Sequence, residues 1–276
     1  MFEKLVEDFI ENAPQNFILD REAIDDSVVG LKIFDAPIIG YAHAEDKLFQ
    51  DFRTDEKITN GMFIPPKEWL KEAETVVSIF LPFSREVKDG NRKNMKKPSY
   101  EWLHGRYEGQ LLINELSEHL KKTLIKDGYE CVIPGLDSRF KALIGTRMYE
   151  NKTLNNNDYG SNWSERHVAY AAGLGTFGLS KGLITKNGIA GRFTSVITNL
   201  KHEPTTREYQ GVYDYCIMCG ACISNCPPKA ITFQEGKDHT LCSKYVDWTL
   251  EKNHPRYGCG KCQVKVPCED GIPVMK

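Results

Sequence analysis

The sequence predicts an α+β chain in two parts: a layered helix-and-strand portion over residues 1–205, and a small cysteine-ligated portion over 206–276. Three observations carry this. Amphipathic helical runs and short β-type apolar runs follow one another with tight joins through the first part. The texture turns polar and turn-rich in "KHEPTTREYQGVYDY" (201–215). Eight of the nine cysteines then fall between residues 216 and 268. A length of 276 residues accommodates one large domain and a small one.

The elements follow in order. "MFEKLVEDFIENA" places Phe2, Leu5, Val6, Phe9 and Ile10 at helical spacing, so an amphipathic helix opens the chain. "ETVVSIFLPF" (74–83) is a β-rich apolar run ended by Pro82 and reads as a buried strand. "GRYEGQLLINELSEHLKKTLIKDG" (105–128) carries Leu111, Leu112, Leu116, Leu120 and Leu124 on a helical repeat, with lysines in its last turns and Gly128 after it. "YECVIPG" (129–135) then returns as a strand, with Cys131 as a small core residue. "SNWSERHVAYAAGLGTFG" (161–178) reads as a helix capped by Ser164 and ended by glycines. In "KGLITKNGIAGRFTSVITNL" (181–200), Asn187-Gly188 between two β-type runs predicts a hairpin.

Composition excludes several classes. A net charge of −2 with no basic tail gives no nucleic-acid surface, and "NRKNMKK" (91–97) reads as a solvated loop. The acidic start lacks the features of a secretory or twin-arginine signal, and no apolar run approaches a membrane span. The expectation is a cytoplasmic protein without a membrane partner, and of unspecified oligomeric state.

"CIMCGACISNCP" spaces Cys216, Cys219, Cys222 and Cys226 by gaps of two, two and three, with Pro227 following. Thiolates are the ligands of cubane iron–sulfur clusters, and two-residue gaps turn successive thiols inward around one compact core. The fourth cysteine of such a run ligates a second cluster in two-cluster ferredoxins. A second set exists in Cys242, Cys259, Cys262 and Cys268. The expected partition gives one [4Fe–4S] cluster Cys216, Cys219, Cys222 and Cys268, and the other Cys226, Cys242, Cys259 and Cys262. Zinc also accepts paired C-x-x-C, but rarely the run that ends in Cys-Pro.

Several stretches together resemble the epoxyqueuosine reductase family, which is related to the reductive dehalogenases. They are "SERHVAYAAGLGTFGLSKGLIT", the ferredoxin run, and "YGCGKCQVKVPC" with Cys242 before it, together with "PPKEWLKEAETVVSIFLPF" and "HGRYEGQLLINELSEHL". The likeness covers most of residues 60–272. It implies a nitroreductase-like α/β domain that binds a corrinoid such as cobalamin, followed by a ferredoxin-like domain with two [4Fe–4S] clusters. Electrons from a ferredoxin or flavodoxin-type donor would pass through the clusters to the corrinoid, and on to a small or nucleoside-like substrate. Two alternatives stand beside this: a flavin in the same domain, or an electron-transfer protein with no substrate of its own.

The pattern departs from the family in three places. Five residues, not three, separate Cys262 from Cys268. The family's catalytic aspartate lies in an Asp-x-Gly stretch, matched here by Asp158-Tyr159-Gly160 with one extra residue before Glu165-Arg166. Asp158 and Tyr159 are thus the candidate proton donors. The family's helical-repeat region, which helps hold tRNA, does not follow; with a near-neutral charge this disfavours a tRNA substrate. Gly173, Gly175 and Gly178 form a G-x-G-x-x-G string, but after a helix, which rejects the dinucleotide reading. The glycines are expected to permit a tight turn with backbone close to a planar cofactor; Arg166, His167 and Lys181 are expected to touch that cofactor's amide or phosphate groups, His167 equally as a structural helix residue.

Overall fold

The computed structural model describes residues 1–143 and 160–274. The first helix, α1 (Phe2–Asn12), buries Phe2, Val6 and Ile10 on one stripe, as its spacing dictates. Strand β1 (Ile38–His43) precedes three short helices, α2 (Lys47–Thr54), α3 (Glu56–Thr59) and α4 (Pro66–Trp69). Next comes β2 (Thr75–Pro82), buried at every position, and then α5 (Arg85–Lys93). The long α6 (Tyr100–Lys126) starts earlier than its leucine repeat foretells, because Ser99 caps it through the Trp102 amide. Leu112, Leu116, Leu120 and Leu124 face the core, whereas Leu111 is exposed.

The strand after α6, β3 (Cys131–Val132), is short and half-buried. The two-residue strands β4 (Ala142–Leu143) and β5 (Gly160–Ser161) pair with each other. Helix α7 (Glu165–Ala171) follows Ser164, but the Ser164 hydroxyl bonds the His167 ring at 2.7 Å and caps no backbone amide. Strands β6 (Gly175–Phe177) and β7 (Leu183–Thr185) form a hairpin, and β8 (Gly191–Thr198) joins the main sheet. Asn187-Gly188 therefore does turn the chain, yet between strands of different sheets. The expected β7–β8 hairpin is replaced by β6–β7, since β8 finds both its partners in β2 and β3.

The main sheet has the order β1-β2-β8-β3, antiparallel throughout. One face carries Val77, Ile79, Leu81 and Val196 into a core shared with α1 and α6. The other carries Val76, Phe80 and Ile197 into a core with α2, α4 and α7. This double coverage explains why β2 is buried at every position and apolar but for Thr75 and Ser78. The chain is thus a mixed α/β structure in which helices cover both faces of one sheet. No helix among the described residues is long and apolar enough to cross a membrane.

After β8 the chain runs without regular structure to α8 (Ala221–Asn225), then β9 (Ile231–Thr232), β10 (Gly236–Lys237) and α9 (His239–Asn253). Side chains fasten this region to the sheet layer. Glu108 of α6 accepts from His104 (3.0 Å) and from Arg256 (3.1 Å), all three largely buried. Arg92 of α5 grips the buried Glu269, and Lys88 meets Asp270 at 2.6 Å.

Candidate functional site

The eight clustered thiols fall into two quartets. Cys216, Cys219, Cys222 and Cys268 line one small pocket together with Gly178, Leu179, Ile184, Ile189 and Val266. The Cys268 thiol is pushed up to about 12 by burial and then by Cys216, Cys222 and Cys219. In the second quartet, burial raises Cys226 and Cys242, and pushes Cys259 up to about 12. Cys262 lies within electrostatic reach of all three, and Cys242 of Cys226 and Cys259. Cys262 also reaches Cys222, which stands at about 11 after burial, so the quartets adjoin. Crowded, half-buried thiols that resist ionisation together are a donor set that calls for cationic charge among them. Among the described residues no trio of His, Cys, Asp or Glu is arranged to hold a single metal ion.

The local backbone makes this crowding possible. Met218 and Gly220 adopt left-handed φ values of 48° and 73°, which curl the loop that carries Cys216 to Cys222. The Ala230 amide donates to the Cys226 sulfur at 3.2 Å, a contact of the kind that tunes cluster potentials. In the Cys259–Cys262 loop, Gly260 (φ 66°) rests on the Trp102 indole, and a Cβ there would stand 1.9 Å from that ring. The buried Lys261 between these cysteines donates to the Asn91 carbonyl at 2.7 Å and to the Asn91 side chain. Asn91 in turn donates to the Cys259 carbonyl at 3.0 Å. Burial pushes Lys261 down to about 8. On the other side, Ile189 donates to the Cys268 carbonyl at 3.0 Å, which ties the first quartet to the Asn187-Gly188 turn.

Of the residues expected at an organic cofactor, Arg166 and Lys181 both act on His239. Gly178 lines the first quartet's pocket. Gly175 lets β6 approach β7, its missing Cβ falling 1.9 Å from the Ile184 carbonyl, and Gly173 packs on Thr205. His167 sits against Phe52 and Phe177, pushed down to about 4 by burial and by Arg166. Lys181 is half-buried and lowered by burial, with Lys237 next. Asp158 and Tyr159 lie outside the described residues.

Arginines gather beside the second quartet. Arg106 and Arg166 act on Cys242, and both act on Arg192. Arg106 and Arg192 each bury an Nε–H that finds no acceptor. Sequence reasoning passed over both, although an arginine inside the strand-forming run "GRFTSVIT" is the signal that could have found Arg192. It also passed over Glu165, whose carboxyl is pushed up to about 7 by burial and leaves Oε2 unpartnered. The pocket at the first quartet is small, and the arginines stand beside the second.

The 4Fe-4S binding domain family matches residues 209–232, which include Cys216, Cys219, Cys222 and Cys226, so the chain carries such a domain. No curated protein matches the chain. Among solved structures, the catabolic reductive dehalogenase NpRdhA in complex with 3-bromo-4-hydroxybenzoic acid is similar at 17% identity and a TM-score of 0.55. The similarity covers 86% of this chain and 30% of that one. Another reductive dehalogenase structure, which concerns B12-dependent dehalogenation, gives 17% identity and a TM-score of 0.51 over the same shares. The epoxyqueuosine reductase of Streptococcus thermophilus gives 20% identity and a TM-score of 0.46, over 86% of this chain and 64% of that one. The chain thus spans under two thirds of the length of that reductase, and at these identities the likeness is one of fold.

Proposed function

We propose that this chain is an iron–sulfur oxidoreductase whose two cysteine quartets hold two [4Fe–4S] clusters and whose neighbouring arginines hold a corrinoid. The observation that carries the reading is the adjacency of the quartets, with arginines whose buried Nε–H groups lack an acceptor beside the second one. Cys216, Cys219, Cys222 and Cys268 would hold one cluster, and Cys226, Cys242, Cys259 and Cys262 the other. The four-thiol pocket and the chemistry of the donor set fit this assignment. The orphaned Nε–H groups of Arg106 and Arg192 fit a cofactor rich in amide or phosphate acceptors, as corrinoids and flavins both are.

When bound, the clusters supply one-electron transfer and the corrinoid supplies the reductive chemistry. The chain's own part is to position and insulate. Trp102 and Lys261 close the inner side of the second quartet against water. Cys219 and Met218 are exposed, which leaves the first quartet as the side open to an electron donor. A nitroreductase-like cofactor domain over 1–205, a ferredoxin-like domain over 206–276 and a small or nucleoside-like substrate complete the reading. Asp158 and Tyr159 are its proton donors.

The test is the metal content of anaerobically purified protein, supplied with hydroxocobalamin and then desalted. About eight irons and about one cobalt per chain are expected. Eight irons without cobalt would remove the corrinoid, and extractable yellow colour would then identify a flavin enzyme in its place.

A further inference from the structure

Arg192 is the second residue of β8, on the face turned to α6, where its Nη2 donates to the Gln110 side chain. Its Nε–H is buried without an acceptor. Arg106, from α6, lays its guanidinium over the Tyr257 ring at 4.9 Å, and its Nε–H is likewise buried and unmatched. Arg166, at the start of α7, lies within electrostatic reach of Arg192.

Among the described residues no carboxylate pairs with any of the three. Glu108, the acid nearest Arg106 in sequence, is taken by His104 and Arg256. Glu165, beside Arg166 in sequence, is held toward its neutral form by burial. Burial, then Arg106 and Arg166, push Arg192 down to about 9. Arg106 and Arg192 repel each other, and the desolvation of their buried Nε–H groups is uncompensated until an anion joins them; Arg166 itself is exposed. The planar guanidinium fork also matches a two-oxygen anion better than any other ligand.

We propose that Arg106 and Arg192, joined by the exposed Arg166, form a receptor for a carboxylate or phosphate group carried by a ligand that binds beside Cys242. The proposal rests on reading this region as a ligand site, and is independent of which cofactor fills it. Two sources have the required chemistry: the phosphodiester of a nucleotide-tailed corrinoid, or an acidic group on the substrate.

The test follows thermal unfolding of the iron-loaded protein as inorganic phosphate is added, for the wild type, Arg106→Gln, Arg192→Gln and Arg192→Lys. Phosphate raises the melting temperature of the wild type. Both glutamine variants bind phosphate at least about tenfold more weakly, and the lysine variant keeps part of the response because charge survives without the fork. In phosphate-free buffer Arg192→Gln melts no lower than the wild type, because a repulsion is relieved. A wild type that ignores phosphate, or glutamine variants that respond as it does, overturns the proposal. So does an Arg192→Gln that melts lower while keeping the full phosphate response.

Retention of hydroxocobalamin and of cobinamide, which lacks the phosphate, separates the sources. A preference for the former that Arg192→Gln abolishes assigns the anion to the cofactor. Equal retention of both, with the phosphate response intact, assigns it to the substrate. Retention of neither, with the response intact, removes the corrinoid and leaves the receptor standing.

Discussion

Gly188→Ala tests whether the turn after β7 is what holds Cys268 in the first quartet. Gly188 has φ +87°, and a Cβ there would stand 2.0 Å from the Glu269 carbonyl oxygen and 2.8 Å from the Asp270 amide. The left-handed backbone alone costs an alanine about 1 kcal/mol. Relief of the contact must move backbone, because no flexible side chain is available to yield. That segment is fastened by the Ile189–Cys268 bond and by Arg92 on Glu269. Loss of the first costs about 1 kcal/mol, and strain on the charged contact about 1–3 kcal/mol more. The total is about 3–5 kcal/mol, against about 1 kcal/mol for Gly30→Ala. Gly30 is the control, since it shares the backbone conformation (φ +75°) with nothing within 4 Å of the added methyl. The assays are urea unfolding and iron content of the anaerobically prepared protein. Gly188→Ala should lose stability by that margin and retain about half its iron, with Gly30→Ala keeping all of it. If both variants unfold alike and keep full iron, the turn does not position Cys268 and the reasoning fails.

Other outcomes follow from the same contacts. Burial works against ionisation of Glu108, but the bonds from His104 and Arg256 outweigh it and hold its carboxyl below the ordinary 4.5. Its stabilisation is therefore present above pH ~4.5 and lost as pH falls through the lower folded value. Glu108→Gln should cost about 3 kcal/mol at pH 7 in denaturant unfolding and flatten the acid limb of the stability profile. Glu165 has the opposite sign: burial raises it from 4.5 to about 7, so it costs stability increasingly as pH rises through that window. Glu165→Gln should thus stabilise the fold at pH 8 relative to pH 5, read by melting temperature, and an unchanged difference would contradict the buried carboxylate. Lys261→Met removes a buried cation from beside Cys259 and Cys262. The cluster proposed there would gain negative charge on reduction, so its midpoint in an EPR-monitored titration should fall by about 59 mV, a tenfold change in the one-electron equilibrium. A midpoint that holds still would show that Lys261 is only a structural plug.

Much of the scaffold was legible because its periodicities are strong. The stripe of α1 and the apolar run of β2 state their burial directly, and the leucines of α6 mark one face. The start of α6 was not legible, since the leucine repeat begins a turn and more after the Ser99 cap. The Asn187-Gly188 turn shows a general limit. Local turn chemistry says that the chain reverses, but which strands then pair depends on distant partners, here β2 and β3 for β8. At the site, cysteine spacing speaks in the sequence because ligand geometry acts over a few residues. Arg106 and Arg192 stay silent, because they come together only when α6 and β8 pack. The glycine string signals a tight turn, and Gly173 (φ +80°) and Gly175 show its reason in their close contacts with Thr205 and Ile184.

The order of the two quartets along the chain has a consequence for how such a region can be rearranged. Reading from residue 216, three thiols of the first set are followed by all four of the second, and only then by Cys268, the last of the first. One set is nested inside the other. If each set holds one cluster as proposed, no single cut yields two self-sufficient single-cluster modules, and a shuffled or transplanted fragment must take the span from Cys216 to Cys268 whole. The grip of Arg92 and Lys88 on Glu269 and Asp270 extends that indivisibility into α5, so a graft of that span alone would leave Cys268 without its anchor.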